Sequence, residues 1–141
     1  MSLDLTSLRN VVASLEAGLD VVGDAAWFTR QPEKVKNTLI AGVIQNFEFV
    51  YEIGFKMIRR QIDAEAASPD EVDESSFRDV MRVAAEKGLI ADVEAWFQYR
   101  LLRNITAHTY DQAKARQVYE GTLRFIGDAR DLLRRLEARN V

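Results

Sequence analysis

The chain has 141 residues, of which 48% are hydrophobic and 29% charged, with no cysteine and a single histidine, His108. This composition excludes disulfide scaffolds, thiolate zinc sites, cysteine nucleophiles and multi-histidine metal centres. The formal net charge of −3 argues against a generic polycationic nucleic-acid binder. Acid–base chemistry near neutral pH that needs an unperturbed imidazole must therefore use His108.

The length is typical of one domain, so we expect residues 1–141 to form a single helical unit. The N-terminus lacks a basic region followed by an apolar block. No apolar run approaches the ~18 residues that a membrane span needs. We therefore expect a cytoplasmic protein that makes no membrane contact.

The first helix is predicted by apolar residues that alternate spacings of three and four. They are Leu5, Leu8, Val12, Leu15, Leu19, Val22 and Ala26. Asp4 is placed to cap its start, and Gly23 weakens its last turn. The pattern breaks before Pro32, which suits the first turn of a second helix. That helix is the longest predicted element, from about Glu33 to Ala66.

Residues 67–74 are predicted to form a loop, because Pro69 and clustered acidic side chains both oppose a helix. Ser76 followed by Asp79 resembles a capping box and starts a short third helix, which Gly88 ends. The loop is most simply a solubilising turn. A docking surface for a basic partner, formed by 70–74, is the alternative.

Two further helices follow. Asp92 is placed to cap the fourth, and the last begins near Asp111 and runs to about Arg139. No stretch shows the alternation of a strand, and no glycine cluster resembles a phosphate loop. The sequence therefore predicts an all-α fold, an up-and-down four-helix bundle with an additional short helix.

Arg103, His108 and Tyr110 lie within eight residues at the junction of the last two predicted helices. Arginine offers a planar set of donors to phosphate oxygens, and histidine can take a proton from a ribose hydroxyl. If both side chains project into one pocket at the bundle end, the pair suits phosphodiester chemistry. The structural alternative is that His108 caps a helix while Arg103 pairs with a carboxylate.

Three blocks of sequence then resemble, in the same order, those of the nucleotidyltransferase substrate-binding protein family, a branch of the HEPN superfamily. They are QNFEFVYEIGFK at 45–56, FRDVMRVAAEKGLI with the following Trp96, and RNITAHTY at 103–110. The resemblance covers about residues 5 to 137. Gly54 departs from it, since alanine is expected there, and costs roughly 1 kcal/mol of helix propensity.

The resemblance implies a HEPN-like bundle that works beside a small, separately encoded nucleotidyltransferase. It implies a homodimer, alone or within a heterotetramer or larger complex. Arg103 and His108 would be ribonucleolytic without a metal, and the partner would silence this toxin by transferring AMP to Tyr110. The chain itself would need no cofactor, with ATP and magnesium serving only the partner.

Two other functions stay open. The chain can instead be a noncatalytic subunit that binds a nucleotide or another substrate for the nucleotidyltransferase, or a purely structural bundle. Asn104 would orient a nucleotide or cap a helix. Glu48 or Glu52 would reach Arg103 or His108, or belong to a solvated face in which Glu52 pairs with Lys56.

Aromatic and basic residues near the candidate site also have two interpretations. Trp96, Phe97 and Tyr99 either stack on a base or pack in the core. Trp27, Phe28 and Trp96 are candidates for a dimer interface or for the core. The last helix has six arginines that form either an RNA-guiding strip or a solvated face of mixed charge. They are Arg116, Arg124, Arg130, Arg134, Arg135 and Arg139.

Overall fold

The computed structural model of the protein describes residues 2–66 and 76–141, so the predicted loop at 67–74 and its docking alternative lie outside the described residues. Within these ranges every regular element is helical. The elements are α1 (Thr6–Gly23), α2 (Ala25–Phe28), α3 (Glu33–Glu65), α4 (Phe77–Glu86), α5 (Val93–Ile105), a 3-10 turn (Thr106–His108) and α6 (Gln112–Arg139). None of these helices has the length and apolar character required to cross a membrane.

The long helices α1, α3, α5 and α6 form the predicted up-and-down bundle, with α4 as the additional short helix. Contacts between α3 and α6 advance in the same direction along both helices: Phe47 with Phe125, Gly54 with Leu132, and Gln61 with Asn140. The two helices are therefore parallel. Contacts between α1 and α3 run in opposite directions, from Ser14 with Asn46 to Gly18 with Val43. The prediction of an all-α bundle is confirmed.

The centre of the bundle is aromatic. Phe125 of α6 is fully buried, and its ring meets those of Phe47, Trp96 and Tyr99 edge-on at centroid distances of 4.8, 5.7 and 4.9 Å. Phe97 is also buried, beneath side chains of α4. Of the two interpretations of Trp96, Phe97 and Tyr99, burial therefore supports core packing and speaks against base stacking.

The first helix is shorter than its apolar pattern predicts. α1 ends at Gly23, and the carboxylate of Asp24 accepts a hydrogen bond from the backbone of Trp27 at 3.3 Å, which starts the separate helix α2. Ala26 is exposed, so its predicted place in the core was wrong. A flexible glycine followed by a capping side chain favours a new helix over continuation of the old one.

The predicted helix ends around the candidate site are confirmed. Asp92 accepts a hydrogen bond from the backbone of Ala95 at 3.2 Å, and Asp111 accepts from Ala113 at 2.8 Å and from Lys114 at 3.3 Å. Gly88 ends α4 with a φ of 78°, a conformation that favours glycine. These caps fix where α5 and α6 begin, and so fix the segment between them.

Candidate functional site at the junction of α5 and α6

The segment from Arg103 to Asp111 is ordered by its own backbone. The N–H of Thr106 donates to the carbonyls of Leu102 and Arg103, which continues α5 into the 3-10 turn. The N–H of Asp111 then donates to the carbonyl of His108 at 3.1 Å. Arg103 therefore lies in the last turn of α5 and His108 at the end of the 3-10 turn, as the sequence predicts.

The guanidinium of Arg103 is held from two sides. Its Nε donates to Oε1 of Glu52 on α3 at 2.6 Å, and one terminal nitrogen lies 3.4 Å from Oγ1 of Thr106. The Thr106 hydroxyl in turn donates to the Arg103 carbonyl at 2.6 Å. The Arg103 side chain is 34% exposed, so a restrained arginine with further N–H donors lies at the surface.

His108 and Tyr110 form the second part of the site. Both side chains are exposed, Tyr110 by 86%. The Tyr110 hydroxyl lies 3.5 Å from Nδ1 of His108, and the two rings meet edge-on with centroids 6.1 Å apart. Thr106 connects the two parts. It contacts Arg103, and its carbonyl accepts a hydrogen bond at 3.2 Å from the hydroxyl of Thr109, the residue between His108 and Tyr110.

The structure distinguishes between the two candidate glutamates. Glu52 forms the ion pair with Arg103. Glu48 lies one turn earlier, is half-buried, and has no hydrogen bond or ion pair with any described side chain. The alternative pair of Glu52 with Lys56 is not formed among the described residues, since Glu52 is bonded to Arg103 instead. The exposed side chain of Asn104 has no hydrogen-bond partner in residues 2–66 or 76–141.

Tyr51 is a neighbour of the site that the sequence did not single out. Its side chain is only 4% exposed, and its hydroxyl has no hydrogen-bond partner among the described residues. Burial raises the pKa of Tyr51 to about 12, although Arg100, through its charge and its approach to the hydroxyl, and the charge of Arg103 oppose this rise. Its helical spacing is that of a core aromatic, so only the fold shows that it lies near Arg100 and Arg103 of α5.

A cleft of about 380 Å³ lies at the end of the bundle where α2, the start of α3 and the start of α6 meet. Phe28, Ile40 and Tyr119 line its apolar part, and Lys36 and Arg116 are among its charged residues. Neither Arg103 nor His108 lines it. The expectation that both project into a shared pocket stays a prediction.

The arginines of α6 are mostly neutralised within the protein. Ion pairs at 2.8 to 3.0 Å join Arg124 to Asp92, Arg130 to Glu16, Arg135 to Asp131 and Arg139 to Glu65, and Arg134 also pairs with Asp131. Carboxylates therefore satisfy most of the charge of this helix, and the RNA-guiding strip stays a prediction. The alternative, a face of mixed charge, describes these ion pairs.

Comparisons with known proteins identify the family and the fold. The model of the family described as nucleotidyltransferase substrate binding protein like matches residues 3–138. A Haemophilus influenzae protein named probable ribonuclease HepT is 44% identical over 138 residues, covering 98% of this chain and 94% of the relative.

Two solved structures share the fold. One from Haemophilus influenzae, described as a substrate binding domain of a nucleotidyltransferase, has a TM-score of 0.93 and 43% identity, covering 95% of this chain and 99% of that one. A Thermus thermophilus structure has a TM-score of 0.63 and 22% identity, with coverage of 94% and 97%, and supports the fold alone. From the family match and the close relative, the chain belongs to the nucleotidyltransferase substrate binding protein family.

Proposed function

We propose that the protein is the HEPN-type subunit of a two-component nucleotidyltransferase system and acts as a metal-independent ribonuclease toxin. The observation that carries the proposal is the arrangement at one helix junction: Arg103 is held by Glu52, and His108 lies 3.5 Å from Tyr110. The relative named probable ribonuclease HepT, at 44% identity, supports the same activity.

In the proposed reaction, the 2′-hydroxyl of a ribose attacks the adjacent phosphorus. His108 accepts the hydroxyl proton as the new O–P bond forms, and the bond from phosphorus to the 5′-oxygen breaks. Arg103 donates to the nonbridging oxygens, where negative charge develops. The 5′-oxygen takes a proton from water, and the hydroxide so formed takes the proton held by His108, which gives a 2′,3′-cyclic phosphate, a 5′-hydroxyl and the free imidazole.

Tyr110 is the proposed point of control. Its exposed phenol oxygen would attack the α-phosphorus of ATP held by the partner enzyme, releasing pyrophosphate and leaving AMP on Tyr110. With the hydroxyl 3.5 Å from His108, the added phosphate would lie against the imidazole. It would exclude RNA from His108 by its bulk and its negative charge.

The partner in this proposal is a small nucleotidyltransferase that supplies ATP and magnesium. The solved relative described as a substrate binding domain of a nucleotidyltransferase supports such an association. The protein itself would act as a homodimer, alone or within a larger complex, because two sites across a two-fold axis give RNA a deeper cleft than one.

Expression of the chain alone tests the ribonuclease. Growth should stop and purified RNA should be fragmented in the presence of a chelator, and His108→Ala should abolish both effects. Gln117→Ala, at an exposed position of α6 outside the junction, is the control and should retain cleavage. Intact RNA with wild-type protein would overturn the proposal.

Mass spectrometry after co-expression with the nucleotidyltransferase tests the modification. Wild-type protein should gain the mass of one or more AMP groups, and Tyr110→Phe should gain none. Tyr119→Phe, which alters a partly buried tyrosine on α6, is the control and should still be modified. Equal modification of Tyr110→Phe and wild type would exclude Tyr110 as the acceptor.

The second candidate function is a noncatalytic subunit that presents a nucleotide to the partner. The restrained, surface-exposed guanidinium of Arg103 favours it equally, because a phosphate is its natural ligand. ATP binding that weakens on Arg103→Ala, together with intact RNA in the cleavage assay, would support this function. Unchanged binding in that variant would contradict it.

A further inference from the structure

Four arginines lie over the rings of three phenylalanines beside the candidate site. Arg78 and Arg82 of α4 lie over Phe97 at 4.4 and 5.8 Å, and Arg100 of α5 lies over Phe77 at 4.5 Å. Arg59 of α3 lies 6.0 Å from the centre of the Phe55 ring. We call Arg78, Arg82 and Arg100 the stacked-arginine surface.

The rings beneath these arginines form one continuous layer. Phe77 lies 5.2 Å from Phe55, 6.2 Å from Phe97 and 6.3 Å from Tyr51, measured between ring centroids. Tyr51 directly precedes Glu52, the partner of Arg103. The Tyr51 hydroxyl in turn lies near the charges of Arg100 and Arg103, so the layer of rings extends from beneath α4 toward the candidate site.

Position along α5 supports the same continuity. Arg100 and Arg103 are three residues apart in one helix, so they lie on the same face. Both charges act on the buried hydroxyl of Tyr51 and favour its ionised form. The last arginine of the stacked surface and the arginine of the candidate site are thus neighbours.

This surface differs from α6 in how its charge is balanced. Among the described residues, Arg78 and Arg100 have no carboxylate partner, and the pair of Arg82 with Asp79 is long, at 3.8 Å, and exposed. A ring face attracts a cation but does not neutralise it. Stacking also restricts each guanidinium, so that less side-chain entropy is lost when its N–H groups bind an anion.

We propose that the stacked-arginine surface binds the phosphate backbone of single-stranded RNA and leads it to Arg103. The inference rests on the proposed ribonuclease function. Arg100 lies one turn from Arg103 on the same face of α5, so a strand bound at Arg103 has Arg100 within reach, and stacked guanidinium groups are suited to phosphate oxygens. An acidic protein surface is the other polyanion that could bind there, and the experiment separates the two.

The experiment measures binding of a fluorescent polyuridylate oligomer in the His108→Ala background, where the RNA stays intact. Adding Arg78→Gln and Arg82→Gln should weaken binding on the order of tenfold at about 0.1 M salt. The slope of log K against log salt, which is negative, should shrink in magnitude by about 1.4, as loss of two phosphate contacts requires. Arg100→Gln alone should weaken binding by a smaller factor.

The matched control is Arg124→Gln with Arg134→Gln. It removes the same charge from side chains of α6 that are 66% and 74% exposed. Its RNA affinity should stay within about twofold of the parent and its salt slope should be unchanged, since only the general field is altered. Thermal unfolding of each variant shows whether the fold is retained, and Arg100→Gln replaces the double variant if that unfolds.

In the wild-type background, Arg78→Gln with Arg82→Gln should raise KM for RNA and leave kcat unchanged. Equal loss of affinity in the double variant and its control would overturn the proposal, as would an unchanged salt slope. Loss of binding to the purified nucleotidyltransferase with RNA affinity retained would assign the surface to an acidic protein instead.

The two proposals fail separately. If wild-type protein leaves RNA intact but the double variant weakens binding, the ribonuclease fails and the surface stands. If wild-type protein cleaves RNA and the double variant has normal affinity and KM, the surface fails and the ribonuclease stands.

Discussion

Glu52, midway along α3, accepts a hydrogen bond from Nε of Arg103 at 2.6 Å, across 51 positions of sequence. The pair joins the longest helix of the bundle to the last turn of α5. It fixes one nitrogen of the guanidinium. The arginine therefore has a defined orientation, while its other N–H donors remain near solvent.

Glu52→Gln tests this orienting role. Both side chains are partly exposed, so the free energy of unfolding should change by less than about 1 kcal/mol. RNA cleavage should fall roughly tenfold, mainly in kcat, because a less restrained Arg103 stabilises the transition state less well. Glu48→Gln is the control on the same helix and should leave both quantities unchanged. Equal losses in the two variants would contradict the role.

Two buried tyrosines should respond differently to loss of the hydroxyl. The Tyr51 hydroxyl has no hydrogen-bond partner among the described residues, whereas that of Tyr99 donates to Asp128. Tyr51→Phe should therefore be neutral or slightly stabilising at pH 7. Tyr99→Phe should cost about 1 to 2 kcal/mol, because it leaves the carboxylate without its donor. Urea unfolding measures both.

The same tyrosines predict a loss of stability in alkali. Burial raises the pKa of Tyr51 to about 12, and burial and the hydrogen bond to Asp128 raise that of Tyr99 further. An unfolded tyrosine releases its proton near pH 10, so stability is full below that pH and falls as the pH rises toward 12. The fall should be smaller in Tyr51→Phe than in wild type, and identical profiles would contradict it.

Glu65 should contribute to stability at neutral pH and lose this contribution in acid. Burial raises its pKa, but hydrogen bonds from Gln61 and Arg139 and the charges of Arg139 and Lys87 outweigh burial and lower it. Its contribution is therefore complete above the unfolded value of about 4.3 and is lost as the pH falls through the lower folded value. The stability difference between wild type and Glu65→Gln should shrink in that window.

Glu137→Gln is the control for this pH dependence. Among residues 2–66 and 76–141, Glu137 pairs only with Arg9, at 3.0 Å, and both side chains are more exposed than those around Glu65. Chemical denaturation at several pH values should show a smaller and flatter effect of this variant. An equal effect of the two substitutions would mean that the network around Glu65 adds nothing to a surface ion pair.

Replacing either of two helical glycines by alanine should change the stability of the protein, in opposite directions. A Cβ at Gly54 would lie 3.4 Å from Leu132, an ordinary contact, so Gly54→Ala should stabilise the protein by up to about 1 kcal/mol through helix propensity. A Cβ at Gly121 would overlap the side chain of Leu102. Gly121→Ala should therefore destabilise by about 1 to 3 kcal/mol. Leu102→Ala in the same chain should relieve the overlap, and thermal unfolding checks all three.

Local chemistry explains which elements the sequence predicts. Ser76, Asp92 and Asp111 each cap a helix, because their side chains accept hydrogen bonds from backbone N–H groups within four residues. Gly88 ends one because its backbone adopts a positive φ. Amphipathic spacing likewise placed α3 correctly. Such signals need no knowledge of the fold, and the all-α bundle follows from them.

Contacts between distant segments could not be predicted in this way. The spacing of Glu48 and Glu52 on α3 does not tell which of them faces Arg103, since that depends on how α5 crosses α3. Trp96 and Tyr99 have the spacing of either a core or a ligand-binding face, and only the position of Phe125 decides between them. The pairing of the α6 arginines depends on distant carboxylates for the same reason.

The 3-10 turn at Thr106–His108 also sets the angle at which His108 leaves the bundle. Each residue of such a turn rotates the chain by about 120°, and each residue of an α-helix by about 100°. One residue inserted after Arg103 would therefore aim the imidazole about a third of a revolution away, while Arg103 stayed on Glu52. The interval of five positions between arginine and histidine is an angular requirement as much as a distance.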